Sequence, residues 1–121
     1  MRRILLSLMA FCIAFVFVSA PAQAEYPERP VTVVLGFAAG GATDIMARAL
    51  ADLLSKELGD TFIVKNVTGA GGTMGAAELA KANPDGYTLG YFPVGTMAIQ
   101  PNLRKLPYNW DEFTPISMVS V

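Results

Sequence analysis

Apolar and polar positions along the chain alternate between short β-type runs, helical stripes and glycine-rich turns. Val31-Thr32-Val33-Val34-Leu35 is a β-branched run that leads into a glycine-rich turn, Gly36 to Thr43. Such a run predicts a strand buried on both faces. Thr43 is then the expected N-cap of a helix, with Asp44 in the first turn against the positive end of the dipole. Ile45, Met46, Ala49, Leu50, Leu53, Leu54 and Leu58 recur at helical spacing, and Gly59 supplies the stop. Asp44, Arg48, Asp52 and Lys56 alternate in sign every four residues, which predicts a solvated face supported by its own ion pairs.

The pattern then repeats. Thr61 to Lys65 predicts a second strand, Asn66 to Gly72 a second glycine-rich turn, and Thr73 to Ala82 a short alanine-rich helix halted by Asn83-Pro84. Asp85-Gly86 is a tight turn, and Thr88 to Phe92 a third strand. Pro93-Val94-Gly95 opens a further turn, and Thr96 to Leu103 is a weaker helix before Pro107. Phe113 to Val121 predicts a fourth strand or its approach. The βαβαβα rhythm implies an α/β fold with parallel strands and right-handed crossovers.

The first 24 residues are of another kind. Arg2 and Arg3 precede an apolar run from Ile4 to Val18, and Ala22-Gln23-Ala24 follows. A charged start, an apolar middle and a small-residue exit predict a cleavable secretory signal over residues 1–24. The run is short of the ~20 apolar residues of a comfortable span, which sets an uncleaved anchor second. Ile4-Leu5-Leu6 directly after the arginines gives no support to twin-arginine export. Cys12 sits mid-run after Phe11, where lipoprotein processing wants a small residue.

The remaining 97 residues, from Glu25, hold seven basic and ten acidic side chains, a net charge of −3, with no cysteine and no histidine. That composition excludes disulfides, thiol catalysis, a histidine base and zinc sites built on sulfur or imidazole. No cofactor or metal is expected, and a mildly acidic chain without a basic cluster is a poor nucleic-acid binder. One small domain is the size limit. The chain also stops after Ile116 to Val121 without a capping element, so it is expected to be the front part of a larger protein.

Three loops leave the carboxyl ends of the predicted strands and enter helix N-termini: Phe37–Asp44, Thr68–Thr73 and Pro93–Thr96. In an open α/β sheet, ligands bind at that edge. Gly40-Gly41, Gly69, Gly71-Gly72 and Gly95 allow close backbone approach to a carboxylate or phosphate. The alternative is that they only permit tight turns. Nucleotide fingerprints miss at their decisive residue. After Gly36 and Gly41, Ala42-Thr43 lacks the phosphate-binding lysine, and Met74 stands where the third dinucleotide glycine should be. Asp44 and Arg48 suit an i,i+4 ion pair better than an acid/base pair. Asn66-Val67-Thr68 matches a glycosylation acceptor, a triplet common by chance. Tyr26, Tyr87, Tyr91 and Trp110 suit a pocket wall, with half-buried packing the default.

Taken in order, the motifs resemble a known family. Tyr26-Pro-Glu-Arg-Pro-Val31, Phe37-Ala-Ala-Gly-Gly41 with Asp44 and Ala47-Arg48, Asn66-Val-Thr-Gly-Ala-Gly-Gly72 with Gly75, Pro84-Asp-Gly-Tyr-Thr-Leu89, Leu106-Pro-Tyr108 and Phe113-Thr-Pro-Ile116 stand in register over residues 26–121. The chain resembles the substrate-binding proteins of tripartite tricarboxylate transporters, the Bug family. The resemblance implies a type II periplasmic-binding-protein fold, of which 25–121 would be the N-terminal part of the first lobe. It further implies a periplasmic, monomeric protein that hands a small carboxylate to membrane permease subunits and is not an enzyme. Carried over by motif, the ligand-binding residues would be Phe37, Ala38, Ala39, Gly40, Gly41 and Thr43, then Gly69, Ala70, Gly71 and Gly72. Asp44 would order the first loop, since it would repel an anion. Ala38-Ala39 departs from the proline many relatives carry there, and the match spans about the first third of a two-lobed protein. The competing expectations are an exported α/β enzyme using the loops as an oxyanion site, and a non-functional truncation product.

Overall fold

The computed structural model describes residues 25–119; the expected signal at 1–24 lies outside them, as do Ser120 and Val121. Its elements are β1 (Val31–Leu35), α1 (Ala42–Leu58), β2 (Phe62–Asn66), a 3-10 turn (Ala70–Gly72), α2 (Thr73–Ala80) and β3 (Thr88–Tyr91). A π-helical turn (Gly95–Ile99) then runs into α3 (Gln100–Leu103), and a second 3-10 turn (Trp110–Glu112) follows. The expected α/β order is present, with three parallel strands arranged β2-β1-β3.

Register assigns the two faces of this sheet. Val31 pairs with Phe62, Val33 with Val64 and Leu89, and Leu35 with Asn66 and Tyr91. Because side chains alternate along a strand, these residues share one face. There Val31, Val33, Phe62 and Ala51 of α1 form a core, joined by Leu54, Val64, Tyr87, Leu89 and Tyr91. Thr32, Val34 and Lys65 point the other way, toward α2, where Lys65 reaches Glu78 at 2.7 Å. A second core of Ala76, Met97 and Tyr108 lies on that side. The central strand is buried on both faces, as its apolar run predicts.

α1 departs from the expected stripe. Its buried positions are Asp44, Ala47 and Ala51, whereas Ile45 is 62% and Leu53 58% exposed. Small residues against the sheet let the helix axis sit close to it, which rotates the bulky residues outward. Asp44 therefore lies on an inner face, while Arg48, Asp52 and Lys56 of the alternating series are exposed. The helix ends as predicted: Gly59 takes the left-handed conformation (φ 77°) and donates to the Ser55 carbonyl. The Ser55 hydroxyl donates to Ala51 O and accepts from Phe62 N at 2.9 Å, joining the last turn of α1 to the start of β2.

The expected strand at Phe113–Val121 is not formed over its described part, Phe113–Val119. Ile116 and Met118 have strand-like character but are 79% and 70% exposed, and no described strand lies beside them to complete a ladder. Phe113 alone is drawn in, its ring edge-on to Tyr108 at 5.7 Å.

The weak helix after β3 has a specific irregularity. The Gln100 N–H donates to Gly95 O, five residues back, which is the π pattern. One step on, the Thr96 carbonyl faces Pro101, which has no N–H to give. The buried Tyr108 hydroxyl supplies the donor instead, at 2.9 Å. Tyr108→Phe should therefore leave the Thr96 carbonyl without its partner and cost about 1–3 kcal/mol in denaturant unfolding. A change within error would mean that the carbonyl is satisfied by other means.

Candidate functional site

All three glycine-rich loops emerge at the carboxyl edge of the sheet. The first turns toward α1 on one face, while the second and third turn toward α2 and the π-helical turn on the other. Since β2 and β3 flank β1, the second and third loops must meet across the end of β1. The glycines make that crossing sterically possible. A Cβ on Gly36 would lie 2.6 Å from both Cα and O of Gly72, and one on Gly75 would lie 2.9 Å from Gly36 Cα. A Cβ on Gly72 would meet Thr96 Oγ1 at 2.9 Å and the Phe37 ring at 3.0 Å. Gly72 is thus the point at which all three loops touch.

In the first loop the helix begins two residues before expectation. Gly41 (φ −77°, ψ 166°) is the N-cap of α1, so Thr43 stands inside the first turn and caps nothing. No side chain caps this N-terminus, and the amides of Ala42, Thr43 and Asp44 have no carbonyl one turn earlier. Asp44, three residues into the helix, reaches back past the cap to accept the Gly40 N–H at 2.8 Å, a shifted form of the acid arm of a capping box.

Asp44 is the hub of a wider network. Its side chain is 3% exposed. Oδ2 also accepts from Arg48 Nε at 2.9 Å, the expected i,i+4 pair, and Oδ1 accepts from Asn66 Nδ2 at 2.8 Å. Asn66 Nδ2 donates as well to the Phe37 carbonyl at 2.8 Å, and its Oδ1 accepts from Arg48 Nη2 at 3.0 Å. Both ends of the loop, Phe37 and Gly40, are therefore tied to one carboxylate and one amide. The bond from Arg48 chiefly, then those from Gly40 and Asn66, holds the Asp44 carboxyl well below the usual carboxylate range.

The second loop is built on left-handed backbone. Gly69, Ala70, Gly71 and Gly72 all have positive φ, and Ala70 at 48° is the only non-glycine of this kind among the described residues. Ala70 in that region carries a strain of about 1–2 kcal/mol. Side chains hold the turn: the Ala70 carbonyl accepts from Thr73 Oγ1 at 3.0 Å and Arg104 Nη2 at 2.8 Å. The Gly71 carbonyl accepts from Thr96 Oγ1 at 3.0 Å, and Gly72 N donates to Gly69 O at 3.0 Å. With the carbonyls turned into the protein, the exposed amides of Ala70 and Gly71 have no acceptor among the described residues. Successive amides of this kind form an anion-binding concavity.

The ten residues expected at the site thus share one sheet edge, but their groups are differently engaged. The Phe37 carbonyl and the amides of Gly40, Gly41 and Gly72 are committed within the protein, that of Gly41 to the Ala38 carbonyl at 3.4 Å. Ala38, Ala39, Gly41, Ala70 and Gly71 are exposed, with Thr43 and Gly69 half-buried. The aromatic residues lie elsewhere. Tyr26 and Tyr87 pack at 5.3 Å before β3, where Arg29 covers the Tyr87 ring, and Tyr91 belongs to the core under α1. A groove of 570 Å³ bounded by Leu89, Phe92, Met97 and Trp110 contains none of the ten; the loops form an open edge. Asn66 and Arg104 were not foreseen as site residues. The available signal for Asn66 was a polar side chain ending an apolar strand just before a glycine turn.

Residues 46–121 match the family model of the tripartite tricarboxylate transporter family receptor. The chain belongs to that family. Protein BugT of Bordetella pertussis is 38% identical over 95% of this chain and 36% of its own length. MatC from Rhodopseudomonas palustris, solved with bound malate, superposes with a TM-score of 0.70 at 44% identity over 74% of this chain and 31% of MatC. Rpa4515 of the same organism, solved with adipate, gives 0.66 at 36% identity over 71% and 29%. The chain spans about a third of the length of the curated relatives it matches. These receptors are periplasmic binding proteins, which places the three-stranded unit as a partial lobe of their fold.

Two outcomes test how the receptor-family loops are held. Gly36→Ala should destabilise the fold by about 1–3 kcal/mol through overpacking against the Gly72 backbone. Gly59→Ala, where nothing lies within 4 Å, should lose only about 1 kcal/mol for its left-handed φ. Equal losses in denaturant unfolding would remove the special role of the crossing. The second outcome concerns pH. A carboxyl more acidic folded than unfolded contributes stability that is complete above its unfolded value, near 4, and is lost as pH falls through the folded value. Wild-type stability should therefore drop between about pH 5 and pH 2 more steeply than that of Asp44→Asn, which lacks this contribution throughout. Parallel pH profiles would show that the network contributes nothing.

Proposed function

We propose that this chain is the opening part of an exported receptor that captures a small carboxylate and hands it to the membrane permease subunits of a tripartite transporter. Residues 1–24 act as the cleavable leader, and residues 25–121 belong to the first lobe of a monomeric binding protein in the periplasm. The carrying observation is the set of exposed, unpartnered amides in the first two loops, at the edge where three parallel strands end. Backbone N–H groups at helix N-termini hold an anion without needing a cationic side chain. The malate bound to MatC and the adipate bound to Rpa4515 support a carboxylate as the solute.

The ligand groups in this reading are the backbone of Ala38, Ala39 and Thr43 from the first loop, and of Gly69, Ala70 and Gly71 from the second. Phe37, Gly40, Gly41 and Gly72 shape the site through their internal contacts. The protein performs no chemistry on the solute; it binds, orients and releases it.

Thermal unfolding of the full-length protein with malate, adipate and an uncharged polyol tests this directly. A solute bound only by the folded state, at 100 times its dissociation constant, adds about 2.7 kcal/mol. For a full-length protein longer than this chain, that is a rise of about 5 °C or more in melting temperature. A rise with either carboxylate and none with the polyol is the expected result. No rise with either, in a cooperatively folded sample, would overturn the carboxylate assignment for these solutes.

A further inference from the structure

α3 and the π-helical turn before it carry a polar stripe that points at the second loop. Thr96, Gln100 and Arg104 recur every four residues, and each meets the Ala70–Gly71 segment. Thr96 Oγ1 donates to Gly71 O at 3.0 Å, and Arg104 Nη2 donates to Ala70 O at 2.8 Å. A Cβ on Gly71 would lie 3.2 Å from Gln100 Nε2. Thr96 is buried and its hydroxyl proton is used in the loop contact. Arg104 differs from it in two respects. The residue is exposed, and it makes no ion pair among the described residues, where the other described arginines, Arg29 and Arg48, each have a carboxylate. Of the five N–H donors of a guanidinium, the single bond to Ala70 engages one.

We infer that Arg104 is a specificity-determining residue of this site, supplying a cationic contact to a second anionic group of the bound solute. The inference rests on the carboxylate reading of the loops. Recognition by amides alone is generic: it holds one carboxylate and is indifferent to what the rest of the solute carries. A guanidinium fixed beside the same loop adds a directional, charge-assisted contact that a monoacid cannot use. The distance is suitable. The Ala70 carbonyl that anchors Arg104 is two residues before Gly72, the N-cap of α2, at most ~7 Å along the chain. The Ala70 bond also restricts the side chain, so that less rotamer freedom is lost when a ligand engages it.

The test compares adipate with hexanoate, equal in carbon number but differing by one carboxylate, by calorimetry on full-length wild type, Arg104→Gln and Arg104→Lys. Wild type is expected to bind adipate more tightly than hexanoate. Arg104→Gln should weaken adipate by about five- to tenfold more than it weakens hexanoate, because the second charge is then unmet. Arg104→Lys should recover part of the adipate affinity, and raising the salt should narrow the wild-type preference. If Arg104→Gln weakens both solutes equally, or neither, the residue only braces the Ala70 turn and the inference is overturned while carboxylate binding stands. If wild type binds neither solute, the carboxylate reading falls and the inference with it.

Discussion

The backbone contact between Gly36 and Gly72 is the constraint on which the loop edge depends. Strand order β2-β1-β3 sends the chain from one side of β1 to the other, and the two outer strands then return loops toward the same face. Those loops converge only by passing over the end of β1, and any side chain at the crossing would hold them apart. The absence of two Cβ atoms therefore decides where α2 begins, where Thr96 can reach Gly71, and how Phe37 closes over the junction. Few contacts of comparable size have such reach across this small fold.

Around that crossing, side chains act on backbone groups more than on each other. Asp44 and Asn66 hold the two ends of the first loop, while Thr73, Thr96 and Arg104 hold the carbonyls of the second. The division of roles is consistent: carbonyls are drawn inward, and amides are left at the surface. An edge prepared in this way needs little reordering when a partner arrives, which is the physical content of preorganisation. It also explains how one non-glycine, Ala70, is kept at positive φ. Two donors on its carbonyl offset the strain.

Much of this was readable from residue order. Strand runs, glycine stops and the alternation of elements follow from local chemistry, and their positions agree with the folded chain within a residue or two. What failed was information held by partners distant in sequence. The apolar spacing of α1 cannot reveal that Ala47 and Ala51, not Ile45 and Leu53, face the sheet, because close helix–sheet approach is a tertiary effect. Thr43 has the chemistry of a cap but stands inside the helix, as Gly40 and Gly41 make the turn first. Asp44 looked solvated because its partner Asn66 is 22 residues away. The run from Phe113 has strand composition, and a strand needs a neighbour.

The parallel topology also sets an order of events. Parallel neighbours cannot be joined by a hairpin, so each pairing waits for a whole helix to be laid down. The β1–β3 pairing, Thr32 with Thr88, joins strands separated by two complete crossovers and closes the longest loop in the sheet. Closure of such non-local pairings is the slow part of folding. Since Gly72 meets Gly36 and Thr96 only when β2 and β3 both flank β1, no early, partly paired intermediate holds a finished loop edge. Completion of the topology and assembly of the three-loop edge are therefore one and the same event.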